Sequence, residues 1–290
     1  MIMRTIRKNY LGPLLAFPGF IVMFIILILP VGYTIFVSLF KCDYMQFTDF
    51  LWFDNYKSLL QDREIINALL RTFYVTIISA AISMVVGMLL AVWIDKCTGL
   101  FSYSIQLVGL IPWVTSMVVG ALLWQWIMQK DLGLLNFVLG LFGIDRVDFL
   151  GNTTIALYSL IFVMTWRTIG YSMVMILAGL KGIPQTLLEA SGIDGCNRFQ
   201  TFYHVKVPLL KTPLLISSIV LTLSNFNNYV VPSALTAGGP GTSTTVITII
   251  MYRMGFQYYN FGMASAVAFL IFMINLVMVV LYVKAVNYEI

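Results

Sequence analysis

Long apolar stretches alternate along this chain with shorter polar ones, at a spacing that a lipid bilayer sets. A helix needs about 20 mostly apolar residues to cross the hydrocarbon core, and six segments reach that length: roughly 14–39, 70–94, 104–127, 154–178, 212–235 and 262–284. Between the third and fourth, LGLLNFVLGLFGI (132–144) is amphipathic and too short to span, so it is expected at the interface. Trp52, Trp113, Trp124 and Trp126 fall near predicted span ends, where an aromatic belt would hold them. The pattern predicts an all-α integral membrane protein with six transmembrane helices. Residues 1–69 carry the first helix and a following loop. Residues 70–290 carry the other five, with a polar loop at 179–211.

Composition agrees with this picture. Of 290 residues, 60% are hydrophobic and 10% charged, against about 45–50% and 25% in soluble domains. No stretch of soluble composition is long enough to bury a core of its own. The apolar run after Arg4, Arg7 and Lys8 superficially resembles a signal peptide, but it continues past Pro30 to about Phe40 without a small-residue cleavage site, so a retained first helix is expected.

The net charge of +5 would suit a nucleic-acid partner if it were clustered, but the basic residues are scattered between apolar segments. Topology accounts for them better. With both termini cytoplasmic, the inside segments (1–13, 95–103, 179–211 and the tail after 283) carry a net charge of +5 and the outside segments (40–71, 128–153 and 236–261) carry −1. Arg167, within the fourth span, supplies the remaining +1. That assignment obeys the positive-inside rule. It also places Cys42 outside and Cys97 and Cys196 inside, which excludes a disulfide from Cys42 to either of them. The single His204 cannot make a histidine metal site, and no phosphate-binding GxxxxGK[ST] occurs, so nucleotide chemistry would belong to a partner.

The loop at 179–211 reads as helix, turn, helix. In IPQTLLEAS, Pro184 suits a first helical turn, while Leu187, Leu188 and Ala190 offer an apolar face. Asp194-Gly195 signals a turn. In NRFQTFYHVKV, Phe199, Phe202 and Tyr203 fall on one face, and Pro208 is expected to stop the helix. A cytoplasmic hairpin of this kind requires something to pack on: the membrane surface, the spans, or another subunit.

The loop resembles the EAA loop of ABC-importer permease subunits, in which E-A-A is followed by three residues, Gly, nine residues and I-x-L-P. Here Glu189-Ala190-Ser191 is followed at the same spacing by Gly195 and by Val205-Lys206-Val207-Pro208. Gly179–Pro184 and Leu235–Pro240 also resemble the carbohydrate branch, in particular the maltose-transporter-type first permease subunit, and the likeness runs from about residue 70 to 284. The resemblance implies a coupling helix seated in a cytoplasmic ATPase subunit. Glu189 would then pair with a basic residue there, Ala190 and Ser191 would stay small for close approach, Asp194 and Gly195 would make the turn, and Pro208 would close the motif. ATP and Mg would be bound by that ATPase, with no cofactor in this chain. The further partners implied are a second homologous permease, a second ATPase subunit and an external sugar-binding protein.

Polar groups at membrane depth mark the expected substrate path. Arg167 at a helix centre costs about 2.5–3.5 kcal/mol on insertion scales, and Thr165, Thr168, Tyr171 and Ser172 give its helix a polar side. In LSNFNNYVVP the amides Asn225, Asn227 and Asn228, with Ser224, alternate with Phe226 and Tyr229. Amides beside aromatic rings suit sugar hydroxyls and the apolar faces of pyranose rings. The alternative is helix-to-helix hydrogen bonding. The candidate path is Arg167, Tyr171, Ser224, Asn225 and Asn228, with Asn225 and Tyr171 preferred because they match substrate-lining positions in the resembled family. TAGGPGTSTT (236–245) follows no strand and is expected to be an external loop, either near the solute-binding protein or a plain connector, and Asp62, Arg63 and Glu64 lie in another external loop.

The sequence thus points to a multi-pass permease subunit of an ATP-driven sugar importer in the cell membrane, without catalytic residues of its own. Three rivals stand beside it. An ion-coupled secondary carrier would want carboxylates within spans, and a membrane-embedded enzyme a His, Asp or Glu cluster at depth. The third is an assembly or interaction protein without transport, against which the amide and aromatic cluster of the fifth span weighs.

Overall fold

The structure, a computed structural model, describes residues 15–285. Arg4, Arg7, Lys8 and Glu289, which entered the orientation of the termini, lie outside the described residues. Four helices are long and apolar enough to cross a membrane: α1 (Leu15–Ser38), α3 (Arg63–Asp95), α7 (Thr153–Lys181) and α13 (Phe261–Ala285). Two bent pairs bring the total to six if each pair is one span: α4 (Gly99–Val114) with α5 (Met117–Ile127), bent by 96°, and α9 (Arg198–Leu209) with α10 (Lys211–Phe226), bent by 65°. The remaining helices are α2 (Asp54–Gln61), α6 (Leu134–Leu141), α8 (Gln185–Ile193), α11 (Val230–Thr236) and α12 (Ile247–Tyr252). The amphipathic 132–144 stretch does form a short helix, α6.

The described chain divides into two compact units, residues 15–63 with 251–273 and residues 64–250 with 274–285. The first contains a feature that the all-α expectation lacked, an antiparallel hairpin of β1 (Phe40–Asp43) and β2 (Gln46–Phe50). Its two-residue connection, Tyr44-Met45, takes positive φ at both positions (50° and 62°). Asn-Gly normally announces such a turn. Here tertiary contacts hold two bulky residues in it: the Tyr44 amide donates to the Tyr259 carbonyl at 2.9 Å, and the two rings stack at 5.2 Å. The Asn55 amide donates to the Ser38 and Phe40 carbonyls, tying α2 to the end of α1 and the start of β1.

In the second unit α7 is central, the most buried of the four long helices. Asn152 caps its start, accepting from the amides of Thr154 and Ile155. Two apolar clusters sit towards its two ends. Leu160, Ile161, Val163 and Met164 pack with Val75, Ala121 and Leu235. Met173, Ile176, Leu177 and Leu180 pack with Ala91, Ile94 and Leu210. Small residues let neighbouring helices approach closely, as is usual where lipid provides no hydrophobic drive to association. A Cβ on Gly170 would stand 2.7 Å from the carbonyl carbon of Gly109 on α4, and one on Gly87 of α3 would stand 2.9 Å from the Met173 amide nitrogen.

Several boundaries differ from the sequence-based expectation. The second span begins at Arg63 rather than 70. The third breaks at Thr115-Ser116, where both residues adopt extended ψ. The predicted 212–235 span ends at Phe226, and a three-residue break precedes α11. Pro208 does not stop its helix, which runs to Leu209. A π turn over Phe202–Lys206, in which the Val207 amide reaches back to the Phe202 carbonyl, widens the helix just before the ring, and the chain bends immediately after it.

Candidate functional site

Arg167 is the midpoint of α7, fourteen residues from either end. It lies between the two apolar clusters, in a polar belt with Thr165, Thr168 and Ser172, all four buried. The Ser83 hydroxyl pairs with that of Thr168 at 2.7 Å, and the Ser172 hydroxyl donates to the Ser83 carbonyl at 2.6 Å, so the belt joins α3 to α7. Arg167 itself donates from Nη1 to the Thr115 carbonyl at 3.1 Å. That carbonyl lies at the α4–α5 break, outside regular helix. The guanidinium also lies over the Trp113 ring, 5.6 Å from its centroid, and Trp113 stacks with Tyr171 at 4.6 Å. Broken backbone at membrane depth needs such a donor, because no water is there to supply one.

Trp113 therefore leaves the aromatic belt to which its position assigned it. Trp124 leaves it too, packing edge-on to Phe162 and Trp166, whereas Trp52 and Trp126 are 66% and 60% exposed, as belt residues should be.

The amide cluster separates into different roles. Asn228 accepts the Val231 amide on its Oδ1 at 2.9 Å, capping α11, and its own carbonyl accepts the Thr248 hydroxyl at 3.0 Å. Asn227 exchanges two hydrogen bonds with Asn275 of α13, at 2.9 and 3.3 Å. Asn225 is 3% exposed, and its Nδ2 has no partner. Ser224 is half-buried. The hydroxyls of Thr76, Ser79, Thr165 and Ser217 are likewise buried without partners. Buried donors left unpaired cost about 1–3 kcal/mol each, so these groups mark where a polar ligand, water or a second arrangement of the helices would be accepted. Neither Trp113 nor Asn275 was singled out from the sequence for this region; an amide within an apolar span was the signal that could have found Asn275, but nothing local pairs it with Asn227.

The 236–245 segment is internally knit. Thr244 and Thr245 are fully buried and donate to the carbonyls of Gly239 and Gly238, and Arg71 donates to the Thr245 carbonyl and the Thr242 hydroxyl. The chain then enters the bundle as α12, where the Ile247 amide meets the Thr72 hydroxyl at 2.9 Å.

The polar loop is braced on one side and open on the other. Ser191 is buried between its two helices, its hydroxyl 3.3 Å from that of Thr201, so its small size serves packing within the loop. Gly195 takes φ +79°, a left-handed turn that favours glycine. Asp194 ends α8, its amide donating to the Ala190 carbonyl. Asn197 and Gln200 form a capping box at the start of α9. Lys206, 3.1 Å from Asp95 at the end of α3, ties the loop to the bundle, and Pro208 stands exposed just before the bend into α10. Outward lie Glu189, Ala190, Leu187, Ile193 (87% exposed) and Phe199 (70%), the last packed on Tyr203 at 4.5 Å.

Comparisons with known proteins agree with this geometry. Residues 63–285 match the model of a family described as "Binding-protein-dependent transport system inner membrane component". The chain is 30% identical over 285 residues to the trehalose/maltose transport system permease protein MalF of Thermococcus litoralis, covering 96% of this chain and 94% of that one. It is 26% identical over 279 residues to the sulfoquinovosyl glycerol transport system permease protein SmoG of Agrobacterium fabrum, covering 96% and 90%. A solved bacterial ABC transporter involved in import of the acidic polysaccharide alginate has a chain that superposes with a TM-score of 0.84 at 22% identity, covering 99% of this chain and 98% of that one, which shows the same fold.

Proposed function

Because the chain belongs to the binding-protein-dependent transport system inner membrane component family, we propose that it is one of two permease subunits of a sugar importer. On this reading it works with a second homologous permease, two cytoplasmic ATPase subunits that bind ATP and Mg, and an external sugar-binding protein. Both termini are cytoplasmic, and transport is by alternating access. Relatives named for trehalose/maltose and sulfoquinovosyl glycerol transport support a carbohydrate substrate. The polar belt around Arg167 and the unpartnered Asn225 amide supply donors at mid-membrane, and Tyr171 and Trp113 supply ring faces.

One observation carries the coupling role. The 185–209 loop is fixed to the bundle through Lys206 and Asp95 and made rigid by the Ser191–Thr201 contact and the capping box, yet it leaves Glu189, Ala190 and Ile193 uncovered. A short element transmits a domain movement only if it is held on both sides, and on this reading the ATPase holds the exposed face. Every described Asp and Glu lies in a loop, in the hairpin, in the short helices or at the end of a spanning helix, which favours ATP over ion coupling.

The test is Glu189→Lys in the reconstituted complex. Sugar uptake and substrate-stimulated ATP hydrolysis should both fall at least tenfold with the membrane subunits still assembled. Full coupled activity in that variant would remove the loop from the mechanism. Uptake that persists without ATP and collapses with the ion gradient would instead establish the secondary carrier.

A further inference from the structure

We propose that the cleft between the last turn of α3 and the start of α9 binds the headgroup of an anionic phospholipid. The cleft uses Cys196, Arg198, Phe199 and Phe202 of the 185–209 loop but neither Glu189 nor Ile193, so the proposal requires only that the chain lie in a membrane and its failure leaves the coupling reading standing. The cleft encloses about 760 Å³, and its walls include Val92, Lys96, Cys196, Arg198, Phe199 and Phe202. Lys206 also reaches it but is committed to Asp95. Neither Lys96 nor Arg198 has an ion pair among the described residues, so the cleft presents two uncompensated cations beside an apolar wall.

Depth identifies the occupant. Val92 lies in the last turn of α3, and Lys96 follows directly after that helix, its amide donating to the Trp93 carbonyl at 3.2 Å. The intervening Trp93 is 49% exposed and meets Phe101 edge-on at 6.1 Å, the arrangement of aromatic residues at a membrane–water boundary. A phosphodiester at that level reaches both cations, while its acyl chains follow Val92, Phe199 and Phe202. A free anion would use only the charges, and an apolar peptide would leave them buried without compensation.

The test uses the assembled complex in nanodiscs of equal phosphatidylglycerol and phosphatidylcholine. Native mass spectrometry reads the lipid retained, and maleimide reads the accessibility of Cys196. Phosphatidylglycerol should be retained selectively and should slow alkylation of Cys196. Each of Lys96→Gln and Arg198→Gln should weaken that retention roughly fivefold, and the pair about 25-fold. Lys41→Gln, an exposed charge on the hairpin, should leave it unchanged. Equal retention of both lipids, an equal effect of Lys41→Gln, or protection of Cys196 by inorganic phosphate alone would overturn the assignment. Protection of Cys196 by ATPase subunits in lipid-free detergent would also overturn it and make the cleft a protein interface.

Discussion

Replacing Gly170 by alanine tests whether close backbone approach, rather than side-chain packing, holds the polar belt in place. The new Cβ would lie 2.7 Å from the carbonyl carbon of Gly109 and closer still to its oxygen. Carbon atoms rest about 3.5–4.0 Å apart, so α4 and α7 must separate by about 1 Å. The Arg167 donor to Thr115, now at 3.1 Å, then passes beyond 3.5 Å, where no hydrogen bond remains. Overpacking costs about 1–3 kcal/mol and a lost charged hydrogen bond about 1.5–3 kcal/mol, so a loss of about 2.5–6 kcal/mol is expected. The reciprocal Gly109→Ala meets only the flexible end of Met173, at 2.7 Å from Cε, and should cost under about 1.5 kcal/mol because that side chain can turn away. Reversible unfolding of the purified subunit in mixed micelles, followed by circular dichroism, measures both. Equal costs for the two glycines, or a neutral Gly170→Ala, would refute the close-contact argument.

Other expectations follow from the same geometry. Asn225→Leu removes an amide nitrogen that holds no partner and should leave stability within about 1 kcal/mol while lowering sugar uptake; Asn228→Leu strands the Val231 amide and should destabilise by about 1–3 kcal/mol. Thermal unfolding beside uptake distinguishes the two, and unchanged uptake in Asn225→Leu would make that amide structural. Burial, and secondarily the Asp43 carboxylate, raises the Cys42 thiol above its ordinary pKa. Cys42 should therefore react with maleimide more slowly than Cys196 at neutral pH. Its stabilising contribution should be present below the unfolded-state pKa and lost as pH rises through the folded one. Faster alkylation of Cys42 would contradict its burial. Asp95→Asn breaks the brace to Lys206 and should weaken coupled ATP hydrolysis more than subunit stability, given that the pair is about a fifth exposed on each side. A thermal shift that accounts for the whole loss of activity would count against that.

Much of the fold was legible because a bilayer imposes its length on sequence. Four of the six apolar stretches became single long helices, the third became the bent pair α4–α5, and the fifth divided into α10, which is the second half of the other bent pair, and α11. The polar loop was legible in part: Pro184 and Asp194-Gly195 are local signals that bracket its first helix, whereas the Asn197–Gln200 capping box that starts the second was not read from the sequence and Pro208 does not end it. The hairpin was not, because Tyr44-Met45 has no turn chemistry of its own and is held by Tyr259, more than two hundred residues away. The belt was half legible. Arg167 announced itself by cost, whereas Trp113 looked like an interface anchor until the break in α4–α5 brought it beside Arg167 and Tyr171.

Sequence alone determined that the chain spans a membrane, roughly where its spans fall, and that residues 184–208 make short helices about a turn, since hydropathy, charge and turn residues act over distances of a few residues; the coupling role proposed for that loop rests on its resemblance to the EAA motif. Tertiary structure decided which polar groups are already satisfied. Asn225, Asn227 and Asn228 are equivalent in composition; Asn228 caps the next helix locally, Asn227 gains Asn275 only through the packing of α13, and the Asn225 nitrogen is left open. The physical reason is that a hydrogen bond depends on an angle and about 3 Å of distance, and groups far apart along a chain meet those conditions only once the helices are packed.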